Sequence, residues 1–383
     1  MNEMRKFLCP EFVFGSGAVS LAGRYAEHMG ASKVLLVTDP GVRDAGWTAA
    51  VQASLEERDI SYELYDAILP NPRDTQVMEG SAFYEEQNCD VILAVGGGSV
   101  LDAAKGIGIV AANGGHILDY EGVDAIPEPI PPLICIPTTC GSSADVSQFA
   151  IITDTKGHRK IAIISKSVVP DIALIDPDTL ETMSHELMAA VCLDTLTHSI
   201  EAYVSQAHSF MTDRHALGAI ELVGEHLIPA LSHREDRTLQ AYMMQASLEA
   251  GLAFSNASLG LVHAMAHVLG GLKDFPHGIC NGLLLQNVCS YNYDACPERY
   301  DRITKALRGS CDDIHGKESL VEALAILVEG SGVREELGKF KLSSPECRTL
   351  AQMSLKDACI VTNPREPELK EIVSLYEETF TVR

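Results

Sequence analysis

Three of the chain's 13 histidines fall inside the stretch Gly260–Gly278: His263, His267 and His277. His263 and His267 are four apart, among small and apolar residues with no proline before Pro276. Residues four apart lie one above the other on a helix, so both imidazoles share a face. Gly270-Gly271 is expected to end that helix, because glycine accepts the left-handed C-cap, and a short turn through Pro276 brings His277 back. Imidazole is the commonest biological metal ligand. A helical pair with a third histidine across a turn can converge on one ion; the same pair also reads as packed or hydrogen-bonded core histidines.

A second cluster lies upstream. Asp194 and His198 are again four apart, in LDTLTHSIEAYVS, where Leu193, Leu196, Ile200 and Val204 recur at helical spacing. One carboxylate and up to three imidazoles make a nitrogen and oxygen donor set without thiolate. Such a set suits Fe(II), Zn, Ni or Mn rather than a cysteine-rich structural zinc site.

A different chemistry is suggested by Val95-Gly96-Gly97-Gly98-Ser99, between an apolar strand and a helix. Glycines let a ligand approach the backbone, and the amides opening the next helix point outward with its positive dipole end, which suits a diphosphate. Ser99 with Asp102 three residues on also reads as a capping box. The run is not the GxGxxG fingerprint, which would sit in the first strand–helix turn with an acid downstream. Here Asp39 ends the first buried strand and precedes the glycines. An acid there can bind an adenosine ribose and repel a 2′-phosphate, favouring NAD over NADP, or it can cap a loop. Pro137-Thr138-Thr139 follows another buried strand and offers two hydroxyls where ligands collect in such sheets.

These groups need two kinds of scaffold. Continuous apolar runs such as KVLLV and VILAV, alternating with helical patterns, predict a parallel α/β layer over 1–183. FAIITD and KIAIIS read as a hairpin within it. From 184 to 383 nearly every apolar pattern has helical spacing, so an α/β domain precedes an all-helical one. The 383 residues suffice for two domains, and 46% hydrophobic with 21% charged residues is an ordinary globular composition. A net charge of −24 repels phosphate backbones and anionic lipid, so neither nucleic acid nor membrane is an expected partner. No signal-peptide-like start or membrane-length apolar run is present. The 11 cysteines are scattered, odd in number and without CxxC pairs, which points to reduced thiols and a cytoplasmic location.

Taken together these motifs resemble the iron-containing (group III) alcohol dehydrogenases, of the dehydroquinate synthase-like superfamily. The resemblance covers KFLCPEFVFG, GGGSVLDAAKG, IPTTCGSSADVSQFAIITD, DTLTHSIEAYVS, GLVHAMAHVLGG, PHGICN and TNPRE. It implies a Rossmann-like N-terminal domain joined to a helical domain, with the site in the cleft between. It implies Asp194, His198, His263 and His277 as metal ligands, with Fe(II) the family's name-giving ion. His267 corresponds to a histidine kept near the metal, and is a candidate proton relay beside the catalytic Asp194. Gly96, Gly97, Gly98 and Ser99 would hold the pyrophosphate of NAD, and Asp39, Thr138 and Thr139 the adenosine end. Asp102, Phe149 and Lys160 would lie nearer the nicotinamide. The activity implied is interconversion of a small primary alcohol and its aldehyde, in a homodimer or higher homo-oligomer.

The chain departs from the family pattern around the expected cleft. Cys140-Gly-Ser-Ser-Ala-Asp145-Val-Ser147 stands where AGTGSEVT is common, and Cys192 and Thr179 replace a glycine and a leucine. SSADVSQFAIITD also resembles a branch named alcohol-dehydrogenase-like regulatory protein, so an NAD- and metal-binding sensor is the alternative function. A lyase of the same superfamily would want clustered basic residues, and between 184 and 282 the chain offers Arg214, Arg234, Arg237 and Lys273 alone.

Overall fold

The computed structural model describes residues 6–273, 275–309 and 315–380; Cys311 lies outside them. Two compact units emerge, one spanning Leu8–Met183 and the other holding Lys6, Phe7 and the described residues from Ser184 onward.

The first unit alternates strands and helices: β1 (Glu11–Phe14), α1 (Ala22–His28), β2 (Lys33–Val37), α2 (Pro40–Asp44), α3 (Trp47–Glu56), β3 (Ser61–Tyr65), α4 (Asp74–Glu86), β4 (Val91–Gly96) and α5 (Gly98–Asn113). The short β5 (Gly122–Val123) follows, then β6 (Leu133–Pro137), β7 (Phe149–Asp154), β8 (Arg159–Ile164) and β9 (Ile172–Ile175). A six-stranded sheet runs in the order β1-β9-β6-β4-β2-β3 with every pairing parallel. Its central strands, β4 and β6, are buried along their length, as expected of strands covered on both faces. β7 and β8 form the expected antiparallel hairpin, and β5 joins it as a third strand. From β2 the chain steps outward to β3, then returns to the other side of β2 for β4. That reversal opens a crevice at the carboxyl ends of β2 and β4, where α/β sheets of this kind receive ligands.

The second unit contains α6 (His185–Val204), α7 (Phe210–Ser232), α8 (Arg237–Ala257), α9 (Leu261–Lys273), α10 (His277–Asn292), α11 (Pro297–Arg308), α12 (Lys317–Gly330), α13 (Ser344–Ser354) and α14 (Leu369–Phe380). Side chains set several starts: Ser184 caps α6 at Leu187 N, and Asp236 caps α8 at Thr238 N and Leu239 N. No single helix among the described residues is long and apolar enough to cross a membrane.

Three local expectations fail for physical reasons. Gly270-Gly271 does not end α9, which continues to Lys273; glycine permits a left-handed stop but does not enforce one. His277 does not lie on a turn but opens α10, after Pro276 at the N-cap. The Ser99–Asp102 capping box is also absent. α5 begins at Gly98, earlier than the apolar pattern suggests, with Gly97 as an N-cap that uses no side chain. Ser99 Oγ instead accepts from Asn71 N at 3.2 Å.

Asp102 turns inward, toward Lys105 and the Ile151 amide. Lys105 has 0% exposure and donates from Nζ to Ser147 O at 2.9 Å and Phe149 O at 2.7 Å. It ties α5 to the loop that leads into β7. Burial pushes the carboxyls of Asp102 and Asp145 up to about 6, although Lys105 pulls each of them down. A carboxyl whose folded value is raised adds stability that is complete below its ordinary 3.8 and is lost as pH rises through about 6. The melting temperature should therefore fall between about pH 4 and 6 partly through these groups. Asp145→Asn should flatten that slope; melts of both proteins across this range check it, and an unchanged slope counts against it.

Candidate functional site

On α6, Asp194, His198 and Glu201 follow one another at intervals of four and three, so their side chains share one buried face. Asp194 Oδ1 lies 4.0 Å from His198 Nε2, 3.7 Å from His263 Nε2 and 3.8 Å from His277 Nε2. Asp194, His263 and His277 form a tight group with donor atoms within 4.8 Å of one another, and His198 approaches Asp194 from beside it. Bonds of 2.0–2.2 Å to a tetrahedral ion require donor separations of about 3.3–3.6 Å. The observed spacing is a few tenths of an ångström wider. Burial opposes ionisation of Asp194, yet the imidazoles of His198, His277 and His263 hold its carboxyl far below the usual carboxylate range. The ring of His198 is stacked between Phe254 and His263, with centroids 4.3 and 4.5 Å away.

The start of α9 is buried, so its first amides need partners. Glu201 accepts from Gly260 N at 3.0 Å, Val262 N at 2.6 Å and His263 N at 3.4 Å, and Asn363 Oδ1 accepts from Leu261 N at 3.1 Å. The negative charge also suits the positive end of the helix dipole. Glu201 has a second task, because its Oε2 lies 2.6 Å from His263 Nδ1. A proton held on Nδ1 leaves Nε2 directed at Asp194. Burial alone would depress His263, but Asp194 and Glu201 override it and raise the ring to about 9.

Close approach matters as much as capping. A Cβ on Gly278 would stand 2.4 Å from Ala190 O, so only glycine lets the first turn of α10 rest on α6. That contact brings His277 to Asp194.

His267 points its Nδ1 at Asp357 Oδ2, 3.0 Å away, and stacks on His277 at 5.3 Å. Burial works against the Asp357 charge, but His267 and the Cys359 amide hold its carboxyl below its usual value. Asn281 Nδ2 contacts Asp194 Oδ1 at 2.6 Å and both His263 Nε2 and His277 Nε2 at 3.2 Å. Glu201, Asn281, Asp357 and Asn363 are missed by the reading of the sequence. The spacing of Asp194, His198 and Glu201, and of His277 and Asn281, was a signal for two of them; Asn363 lay within the TNPRE motif without a role attached, and Asp357, from distant chain, left none.

In the α/β unit the expected nucleotide residues gather at the switch point. Asp39 follows β2, Gly96 ends β4 with Gly97–Ser99 after it, and Thr138 and Thr139 follow β6, with Thr138 N donating to Gly96 O at 3.0 Å. Asp39 also serves as the cap of α2, accepting from Val42 N at 2.9 Å. The glycines are needed for packing as well as for exposed backbone: a Cβ on Gly98 would meet Ser142 Cβ at 2.6 Å, and one on Gly97 would lie 3.2 Å from Thr139 Cγ2. Phe149 opens β7, and Lys160 sits opposite Thr153 in the hairpin. Ser143 has φ 49, a left-handed conformation that glycine adopts more readily.

The model for iron-containing alcohol dehydrogenases matches residues 9–177, and the model for the family's C-terminal region matches 188–380. The chain belongs to the iron-containing alcohol dehydrogenase family. It is 39% identical to alcohol dehydrogenase 4 of Schizosaccharomyces pombe over 97% of this chain and 88% of that one. It is 34% identical to the NAD-dependent methanol dehydrogenase of Bacillus methanolicus, over 96% and 98% of the two chains. A crystal structure of 1,3-propanediol oxidoreductase superposes with a TM-score of 0.95 at 35% identity, covering 99% of this chain and 100% of the other. As a group III alcohol dehydrogenase, the protein is an oxidoreductase that interconverts alcohols and aldehydes.

Two substitutions test this geometry. Glu201→Gln should weaken divalent-metal binding on the order of 10–100-fold, the usual cost of losing the partner that orients a ligating histidine. Calorimetric titration of the metal-free protein reads it, and unchanged affinity would separate Glu201 from the site. Gly278→Ala should lower stability by about 1–3 kcal/mol, as overpacking does, and also loosen metal binding; urea unfolding with the same titration checks both.

Proposed function

We propose that Asp194, His198, His263 and His277 hold one divalent cation, and that the Asp39, Gly96–Ser99, Thr138 and Thr139 crevice holds NAD. The observation that carries the metal reading is the Asp194 carboxylate, 5% exposed, with three imidazole nitrogens 3.7–4.0 Å from one of its oxygens. A buried carboxylate ringed by imidazole nitrogens fits a cation better than it fits an apolar core. Iron is the ion the family's description carries, and Zn, Ni or Mn suit the same donors.

A cation there supplies Lewis acidity of the kind that lowers the pKa of bound water from 15.7 to about 7, and an alcohol should respond alike. The protein's share is positional. Asp194 balances the charge, Glu201 fixes the His263 tautomer, and Phe254 and His263 clamp the His198 ring. His267 donates Nδ1–H to Asp357, which leaves Nε2 to pass a proton toward solvent. In the other unit, the amides at the start of α5 receive the pyrophosphate, and the Asp39 charge at the end of β2 favours NAD over NADP. Asp102, Phe149 and Lys160 complete the nicotinamide side. Small primary alcohols, 1,3-propanediol among them, are the proposed substrates.

The edge strand β1 has one open side, with Phe12 39% and Phe14 37% exposed, and is the proposed surface of a homodimer. No disulfide forms among the described cysteines, in keeping with a cytoplasmic enzyme.

Replacing His263 with alanine should remove metal and turnover together, read by elemental analysis of protein purified without oxygen and by NADH formation with ethanol, 1-butanol and 1,3-propanediol. Full activity in a metal-free variant would sink the proposal. Wild-type protein that binds metal and NAD but oxidises no alcohol would point to the regulatory alternative.

A further inference from the structure

Asn281 stands one helical turn beyond His277 on α10 and has no exposed surface (0%). Its amide nitrogen is 2.6 Å from Asp194 Oδ1 and 3.2 Å from both His263 Nε2 and His277 Nε2. Nδ2 therefore occupies the focus of three atoms proposed as metal donors. An amide nitrogen carries two hydrogens, so it cannot fully satisfy three acceptors. The other end of the group is less well served: Asn281 Oδ1 is buried with no hydrogen-bond partner among the described residues. Buried polar atoms are nearly always paired, and one that is not calls for a physical reason.

Electrostatics supplies the reason. Turned over, the amide would press its oxygen against the Asp194 carboxylate oxygen now 2.6 Å from Nδ2, an acceptor against an acceptor, so the nitrogen-inward orientation is preferred. A divalent cation at the focus reverses the preference. The three lone pairs are then committed to the ion, the amide hydrogens face positive charge, and the amide oxygen becomes the attracted end. Amide oxygens are good neutral donors to divalent ions.

We propose that Asn281 is a two-state group of the metal site. In the metal-free protein its Nδ2 holds Asp194, His263 and His277 together; on loading, its Oδ1 turns to the cation as an additional neutral oxygen donor. This rests on the metal reading above. It also gives the site five protein donors, more than tetrahedral zinc takes.

The test uses the full chain stripped with EDTA and titrated with Ni(II) by calorimetry, alongside the melting temperature of each metal-free protein. Asn281→Leu, which keeps the branched shape but loses both polar ends, should weaken Ni(II) binding at least tenfold. Asn281→Asp, which keeps an oxygen and loses the hydrogens, should lower the metal-free melting temperature by setting a second carboxylate against Asp194, and should tighten Ni(II) binding at least tenfold. Opposite shifts in affinity support the proposal; shifts of the same sign, or wild-type affinity in Asn281→Leu, overturn it. Should Asn281→Asp fail to fold, Asn281→Leu decides alone. His263→Ala is the control that ties the ion to this site. If the wild-type protein itself binds no Ni(II), Zn(II) or Fe(II), the metal reading falls and takes this one with it. If the wild type binds and only the Asn281 variants are indifferent, the metal reading survives without it.

Discussion

The helical unit depends on one buried carboxylate doing two jobs. Glu201 closes the amino end of α9 by accepting from Gly260, Val262 and His263, and the same oxygen that serves the His263 amide also holds that residue's ring. Helix position and imidazole orientation are thus coupled through a single side chain. A buried charge of this kind is costly unless every lone pair is used, and here the use is shared between backbone amides and the His263 ring. Asn363, from the TNPRE segment, completes the cap through Leu261 and pairs with Asn292. A motif near the end of the chain therefore acts at the start of α9.

Charge is balanced in the α/β unit by a different device. Lys105, fully buried, spans from α5 to the carbonyls of Ser147 and Phe149 beside the carboxyls of Asp102 and Asp145. Burial and the lack of water push the lysine down and the acids up, so the cluster tends toward neutrality. What it secures is the position of the loop after β6 relative to the glycine-rich start of α5. In both units a buried ionic group holds a chain segment that the proposed ligands would touch.

Glycines serve these arrangements by close approach more than by flexibility. Gly278 lets α10 rest on the Ala190 carbonyl of α6, and Gly260 leaves room for Glu201 and Asn363 at the start of α9. The pair Gly270-Gly271, which looked like a helix stop, is simply helical. A glycine's role is decided by what faces it, and a linear pattern does not contain that information.

The alternating and helical patterns, the division of the chain near residue 183, the shared faces of Asp194 with His198 and of His263 with His267, and the strand-end glycines were all readable without coordinates. Each rests on periodicity or on a local conformational preference, and those are properties of consecutive residues. The convergence of α6, α9 and α10 on one point, the tautomer set by Glu201, the Asp357 partner of His267 and the Asn281 amide at the focus were decided by tertiary packing. They join residues far apart in the chain, and no short-range rule says which distant side chain will reach a buried donor left unsatisfied. The sequence determined which groups could do chemistry; only the folded chain determined which of them face one another.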